Sequence, residues 1–168
     1  MDRLDHDEVQ QHIRASPELL YDLVSDVPRT PEWSPEVASC RWLGDQASAV
    51  PGARFSARNR RRWFSWSNKP VVETAERGRE FAITRTEPGG GTIRWFYRFR
   101  PAINGLTEAD LGYQVRRPVP VFLHLLLRAL FGVQDLRADL HQNMVTSLQN
   151  LAMIAEREAQ QPHSAGRD

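Results

Sequence analysis

Apolar and polar positions alternate with a period of two near the start of the chain, across residues 8–14. Val9 and Ile13 fall on one side of this run and polar residues fall on the other, which is typical of a half-buried strand. Ser16-Pro17-Glu18 then provides an N-cap, a proline for the first helical position and an acidic residue for the first turn. The pattern predicts a strand followed by a short helix that ends near Asp26.

A second short helix and a long series of strands are predicted next. Three prolines between Pro28 and Pro35 leave room for only a turn or two of helix. From Val37 onward the pattern is extended and is interrupted at intervals by turn residues such as Asn104-Gly105. The predicted strands are 37–43, 53–60, 63–77, 80–86, 92–100 and 106–115. Whether 63–77 is one strand or two strands divided at 68–70 is left open by the pattern.

The strand predicted at 92–100 has the clearest alternation. Its apolar face carries Ile93, Trp95, Tyr97 and Phe99. Its opposite face carries Arg94, Arg98 and Arg100, with Phe96 as the exception. We therefore expect one face to pack against the core and the other to contact water.

After Pro118 the chain favours helix, and its last part has an apolar stripe at steps of three and four residues. The stripe consists of Leu136, Leu140, Met144, Ser147 and Leu151. The order of elements predicts an α+β fold, in which a curved antiparallel sheet of seven strands wraps around a long C-terminal helix and two short helices lie between strands 1 and 2. We expect residues 1–158 to form a single domain and residues 159–168 to form a flexible tail.

A strongly bent sheet cannot close tightly on one helix along its whole length, so an apolar cavity is expected between them. The predicted lining consists of Phe55, Ala57, Trp95, Tyr97, Tyr113, Leu140 and Met144. Asn59 and Arg85 face this cavity only if the registers of their strands turn them inward. Trp33 either covers one end of the cavity or packs in the core.

Composition and charge narrow the classes of partner. The 168 residues carry a net charge of +1, so there is no global field that would attract nucleic acid. The single cysteine, Cys40, cannot form an intramolecular disulfide, and no apolar stretch follows the N-terminal charges, so we expect a cytoplasmic protein. The most apolar segment, 119–133, is too short to span a bilayer and is not expected to be an integral membrane segment.

No established catalytic signature occurs in the sequence. There is no nucleophile elbow, no His-Glu-x-x-His and no cysteine pair, so no metal and no cofactor are expected. The glycine run at 88–91 is interpreted as a hairpin turn, and the basic and aromatic run at 58–66 as a solvated hairpin. Tyr97, Tyr113 and Arg85 remain the candidates for proton donation and substrate orientation, against the alternative that the tyrosines are ordinary core residues.

Several stretches resemble one known superfamily. They are Ala15 to Glu18, Tyr21 to Val27, Arg29 to Val37, Cys40 to Gly44, Gly52 to Phe55 and Ser147 to Leu151. Together they resemble the START-like proteins of the SRPBCC superfamily, which includes the birch-pollen-allergen fold, and they are most similar to bacterial members of its polyketide cyclase/dehydrase branch. The resemblance covers roughly residues 8–156 and implies the helix-grip fold with a ligand-binding or cyclase-type role.

Three functions follow as hypotheses. The first is the binding or transport of a small hydrophobic molecule such as a lipid, a polyketide or an isoprenoid. The second is a polyketide aromatase/cyclase or dehydratase. The third is a protein-interaction module that uses the apolar segment 119–131, which is interpreted alternatively as the lip of the cavity or as a surface for transient membrane contact. We expect a monomer or a weak homodimer.

Overall fold

The computed structural model describes residues 5–45, 48–61, 64–87, 90–118 and 136–161. These residues form eight strands, two α-helices and two 3₁₀ helices. The strands are β1 (His6–Ile13), β2 (Val37–Leu43), β3 (Arg54–Arg61), β4 (Phe64–Asn68), β5 (Val71–Glu76), β6 (Glu80–Thr86), β7 (Thr92–Pro101) and β8 (Thr107–Arg117). The helices are α1 (Pro17–Ser25), α2 (Leu136–Gln160) and the 3₁₀ helices Val27–Glu32 and Ile103–Gly105.

Parts of the predictions lie outside the described residues. These are the apolar segment 119–131, residues 162–168 of the predicted tail, residues 88–89 of the glycine run and residues 62–63 of the basic run. Within the described ranges, no helix has both the length and the apolar character needed to cross a bilayer.

The two short helices form where the sequence predicts them. The hydroxyl of Ser16 accepts a hydrogen bond from the backbone N–H of Leu19 at 3.2 Å, and Pro17 occupies the first helical position of α1. Three prolines limit the following helix to the 3₁₀ segment Val27–Glu32. Both helices therefore result from local signals in the chain.

The strands form one antiparallel sheet in the order β1-β8-β7-β6-β5-β3-β2, and β4 pairs only with β3. The stretch predicted at 63–77 forms two strands, β4 and β5, so among the described residues the sheet has eight strands where seven were predicted. Register shifts occur between β2 and β3, between β5 and β6 and between β7 and β8. Irregularities of this kind bend a sheet, which fits its curvature around α2.

The long helix α2 packs on the concave side of the sheet. Met144, Leu148, Leu151 and Ala155 are buried, and they belong to the same core cluster as the inward residues of β7 and β8. The predicted α+β architecture, with a curved antiparallel sheet, a long C-terminal helix and short helices between strands 1 and 2, is confirmed.

Arg94 lies on the convex face of the sheet, which was expected to contact water. It is only 7% exposed. Its guanidinium pairs with Glu73 at 3.0 Å and also with Glu80. Phe96 lies beside it on this face, with the Arg98 guanidinium carbon 4.1 Å from its ring centroid. The prediction that Arg94 faces water was wrong because carboxylates of two neighbouring strands and an aromatic ring enclose it.

Candidate functional site

A cavity of about 140 Å³ lies between the concave face of the sheet and α2. Most of its wall is apolar. The sheet contributes Phe55 from β3, Phe81 and Ile83 from β6 and Leu111 from β8, and the helix contributes Leu140 and Met144. The space remains because the side chains of the curved sheet and those of α2 do not fill the gap between these elements.

Nine of the ten predicted site residues line this cavity. They are Trp33, Phe55, Ala57, Asn59, Arg85, Trp95, Tyr97, Leu140 and Met144. The registers of β3 and β6 turn Asn59 and Arg85 inward, which the sequence left open. The structure thus brings these side chains together, and their roles in binding stay predictions.

Tyr113 does not line the cavity, and its predicted placement on the wall is corrected. Its side chain is fully buried. It stands opposite Trp95 in the pairing of β7 with β8, and the two rings pack with their centroids 5.2 Å apart. Tyr113 therefore packs against Trp95, which lines the cavity, without lining it itself.

Trp33 lines the cavity and is held by two hydrogen bonds. Its indole Nε1 donates to the hydroxyl of Tyr97 at 3.3 Å, and its backbone carbonyl accepts from Nδ2 of Asn150 on α2 at 3.0 Å. Trp33 is 1% exposed. Because these bonds join the 3₁₀ segment to β7 and α2, the position of the indole is fixed on both sides.

The hydroxyl of Tyr97 remains protonated at neutral pH. Burial raises the pKa of Tyr97 to about 12, although the hydrogen bond from Trp33 acts in the opposite direction. The phenol can therefore donate a hydrogen bond to a molecule in the cavity.

Arg85 forms a second polar feature of the wall. Its Nε pairs with the carboxylate of Glu87, and its guanidinium carbon lies 5.4 Å from the ring centroid of Trp95. The indole N–H of Trp95 is buried and has no hydrogen-bond partner. The ion pair with Glu87 offsets the positive charge, and the Trp95 ring limits the orientation of the guanidinium.

Two asparagines add buried amides to the wall. Asn59 on β3 is 2% exposed and Asn68 at the end of β4 is 7% exposed. Nδ2 of Asn59 and both polar side-chain atoms of Asn68 have no hydrogen-bond partner. Sequence reasoning missed Asn68 because it treated residues 68–70 only as the point where a strand breaks. The pairing of Ala57 with Asn68 could have indicated an inward amide, but that register is not apparent from sequence.

Two further polar groups of the wall, on Asn143 and Cys40, have hydrogen-bond partners. Nδ2 of Asn143 on α2 donates to the carboxylate of Glu36 at 2.8 Å. Burial raises the pKa of Cys40 to about 11, against the effect of its hydrogen bond with Thr30, so the thiol is neutral at physiological pH. Across the described ranges, no three His, Cys, Asp or Glu side chains lie close enough together to hold a metal ion.

Comparison with known proteins gives one family and many structural neighbours. The family described as "Polyketide cyclase / dehydrase and lipid transport" matches residues 6–156. No match was found among curated proteins.

Three solved structures illustrate the structural similarity. Protein CV1439 from Chromobacterium violaceum is 14% identical with a TM-score of 0.68, and the match covers 90% of this chain and 98% of that one. The Polyketide_cyc-like protein Cgl2372 from Corynebacterium glutamicum is 24% identical with a TM-score of 0.54, covering 96% and 97%. The di-domain ARO/CYC StfQ from the steffimycin biosynthetic pathway is 13% identical with a TM-score of 0.65, covering 90% of this chain and 45% of that one. At these identities the neighbours share the fold alone.

Proposed function

This chain belongs to the polyketide cyclase/dehydrase and lipid transport family, and from that premise we propose that its cavity binds or transports a small hydrophobic molecule. The observation that carries the proposal is the largely apolar space between the sheet and α2, with aromatic side chains in its wall. The side chains that line such an apolar space lack van der Waals partners on one side. A hydrophobic molecule that enters the space supplies these contacts, so its binding is favourable.

The size of the cavity limits the occupant. A void of about 150 Å³ accommodates a single benzene ring, whereas sites for drug-sized ligands typically reach about 300–1,000 Å³. At about 140 Å³ the cavity fits one ring or a short acyl segment. A lipid, polyketide or isoprenoid would therefore place one end inside, or would bind with displacement of the side chains that line the wall.

Native mass spectrometry and titration with small aromatic probes test this proposal. We expect purified protein to retain or take up one small hydrophobic molecule per chain. Replacing Ala57 with leucine adds bulk to the cavity wall and should weaken binding of every probe. The matched control is leucine at Ala38, an exposed position on β2, which should leave binding unchanged. Failure of the native protein to take up any probe would overturn the proposal.

A second candidate function is a polyketide cyclase or dehydratase, and one observation favours it. The Tyr97 phenol faces the cavity as a protonated group held by Trp33, and Arg85 lies on the same wall. A phenol can protonate or hydrogen-bond an enolate oxygen during aldol closure. The similarity in fold to the ARO/CYC StfQ is consistent with this idea.

The test of the second function is turnover of a poly-β-ketone substrate by the Tyr97→Phe and Arg85→Gln variants. Both should lose activity if these groups orient and protonate the substrate. Tyr113→Phe is the control, because this hydroxyl does not line the cavity. Turnover that survives in the variant carrying both Tyr97→Phe and Arg85→Gln would eliminate the assignment.

A further inference from the structure

Two carboxamides form a polar patch on the otherwise apolar wall near the β3 and β4 strands. Asn59 stands opposite Trp66, and Asn68 stands opposite Ala57. Residues that face each other across two strands point to the same side of the sheet, so both amides are on the side of Ala57, which lines the cavity. Asn59 and Asn68 are thus diagonal neighbours on the inner surface.

The amides of this patch are available for hydrogen bonding to a bound molecule. Nδ2 of Asn59 and Nδ2 of Asn68 are buried donors without partners, and Oδ1 of Asn68 is a buried acceptor without one. Buried amides are nearly always hydrogen-bonded in folded proteins, because an unpaired one loses its interactions with water and gains nothing in exchange. Two such residues side by side point to a ligand that completes their hydrogen bonds.

Two other asparagines near the cavity, unlike Asn59 and Asn68, donate hydrogen bonds to other parts of the fold. Asn143 donates to Glu36, and Asn150 donates to the backbone carbonyl of Trp33. These hydrogen bonds connect α2 to other elements, so the two amides have a role in stabilising the fold. Nδ2 of Asn59 and both polar side-chain atoms of Asn68 form no such hydrogen bonds. Both residues are nevertheless as deeply buried as the apolar residues around them.

We propose that Asn59 and Asn68 recognise a carbonyl oxygen of the ligand together with an adjacent N–H or O–H group. The two Nδ2 atoms would donate to the carbonyl oxygen, and Oδ1 of Asn68 would accept from the adjacent donor. Primary amides, carboxylic acids and hydroxy ketones carry this combination on one edge. The inference rests on the proposed binding function and specifies which end of a hydrophobic ligand enters near β3 and β4.

Three probes of the same shape test the inference. Benzamide carries a carbonyl oxygen and an amide donor, acetophenone carries only the oxygen, and isopropylbenzene carries neither. Calorimetric or NMR titrations give the affinity of each probe for the native protein and for the Asn59→Leu and Asn68→Leu variants, in which the side chain is similar in size but apolar.

We expect Asn68→Leu to lower the affinity for benzamide by about tenfold and the affinity for acetophenone by about fivefold. Changes of this size correspond to the loss of one to two hydrogen bonds. Isopropylbenzene should bind the variants at least as tightly as the native protein. Asn59→Leu should weaken both oxygenated probes to a similar degree, because it removes only a donor. Equal changes for all three probes, or no change for the oxygenated ones, would overturn the inference while leaving the proposed function intact.

The side-chain amide signals of the native protein provide a readout that requires no variant. On addition of benzamide, one N–H proton of each of the two asparagines should move downfield as it enters a hydrogen bond. Unchanged signals in the presence of bound benzamide would overturn the inference even if both variants failed to fold. If none of the three probes bound the native protein, the proposed function and this inference would both be rejected.

Discussion

Trp33 and Tyr97 meet in the wall of the cavity, where the indole N–H donates to the phenolic oxygen at 3.3 Å. The two residues are 64 positions apart in the chain, so this bond connects the end of the 3₁₀ segment to the middle of the sheet. Trp33 is almost fully buried, and its indole N–H has no access to water. The orientation of the Tyr97 hydroxyl in the cavity thus depends on Trp33.

The first prediction compares two tyrosine variants. Tyr97→Phe leaves the buried N–H of Trp33 without its acceptor and should lower the free energy of unfolding by about 1–3 kcal/mol. Tyr113→Phe removes a buried hydroxyl that has no partner, so its effect should be close to zero or stabilising. Urea unfolding of both variants measures the difference. Equal destabilisation by the two substitutions would contradict the importance of the Trp33 bond.

The second prediction concerns alkaline pH. Burial raises the pKa of both Tyr97 and Tyr113 to about 12, so the folded state holds these phenolic protons more tightly than the unfolded state, where the pKa is about 10. A raised pKa leaves stability unaffected below pH 10 and lowers it as the pH rises from 10 towards 12.

Urea midpoints measured between pH 9 and 11.5 check this pH dependence. Lys69 is the only lysine of the chain, but Cys40, whose pKa burial raises to about 11, and Tyr21, whose pKa burial also raises, titrate in this window and lower stability in the same direction. The contribution of Tyr97 is therefore the difference between the native protein and Tyr97→Phe. The absorbance change of the tyrosines should also occur above pH 10. Tyr97→Phe is the control and should reduce the loss of stability, and a native protein with a flat profile up to pH 11.5 would contradict the prediction.

The third prediction uses Cys40 as a reporter of the cavity. Its raised pKa of about 11, against an ordinary value of about 9, leaves roughly a hundredfold less thiolate near neutral pH. Labelling of the folded protein by a thiol reagent should therefore be at least about a hundredfold slower than labelling in urea. An occupant of the cavity should slow the reaction further, because Cys40 lines the wall. Since Cys40 is the only cysteine, the labelling rate reports on this one position.

The elements of this fold could be predicted from local sequence signals, whereas parts of the site could not. Ser16-Pro17 specifies the start of α1, and the alternation around Trp95 specifies β7. The inward amide of Asn68 and the burial of Arg94 depend on which residues stand opposite them on other strands. That register results from long-range pairing and packing, which a single sequence does not display.

The position of Tyr113 relative to the cavity also could not be predicted from the sequence. Alternation correctly predicted that its side chain faces inward, and the side chain is fully buried. It nevertheless packs against the ring of Trp95 and does not line the cavity. A pattern of period two gives the face of a strand, but the sizes of neighbouring side chains decide which inward residues reach the open space.

The last prediction concerns the ion pairs on the convex face of the sheet. Glu80 accepts from Nε of Arg98 at 2.7 Å and also pairs with Arg94, whose side chain is buried. Glu80→Gln leaves the Arg94 charge with one carboxylate fewer and should lower the free energy of unfolding by about 2 kcal/mol. The control is Glu76→Gln, because Glu76 pairs with Arg79 only at 3.9 Å on the exposed surface and should change stability by less than about 0.5 kcal/mol.

The effect of Glu80→Gln should also depend on pH. Burial acts to raise the pKa of Glu80, but the hydrogen bond from Arg98 and the charge of Arg94 outweigh it, so the pKa lies below its usual value. A lowered pKa stabilises the fold above the unfolded-state value of about 4.3, and that contribution disappears as the pH falls through the folded-state pKa. Urea unfolding should thus show a smaller difference between the native protein and the variant at pH 3 than at pH 7. A difference of the same size at both values would mean that Glu80 contributes through packing and not through its charge.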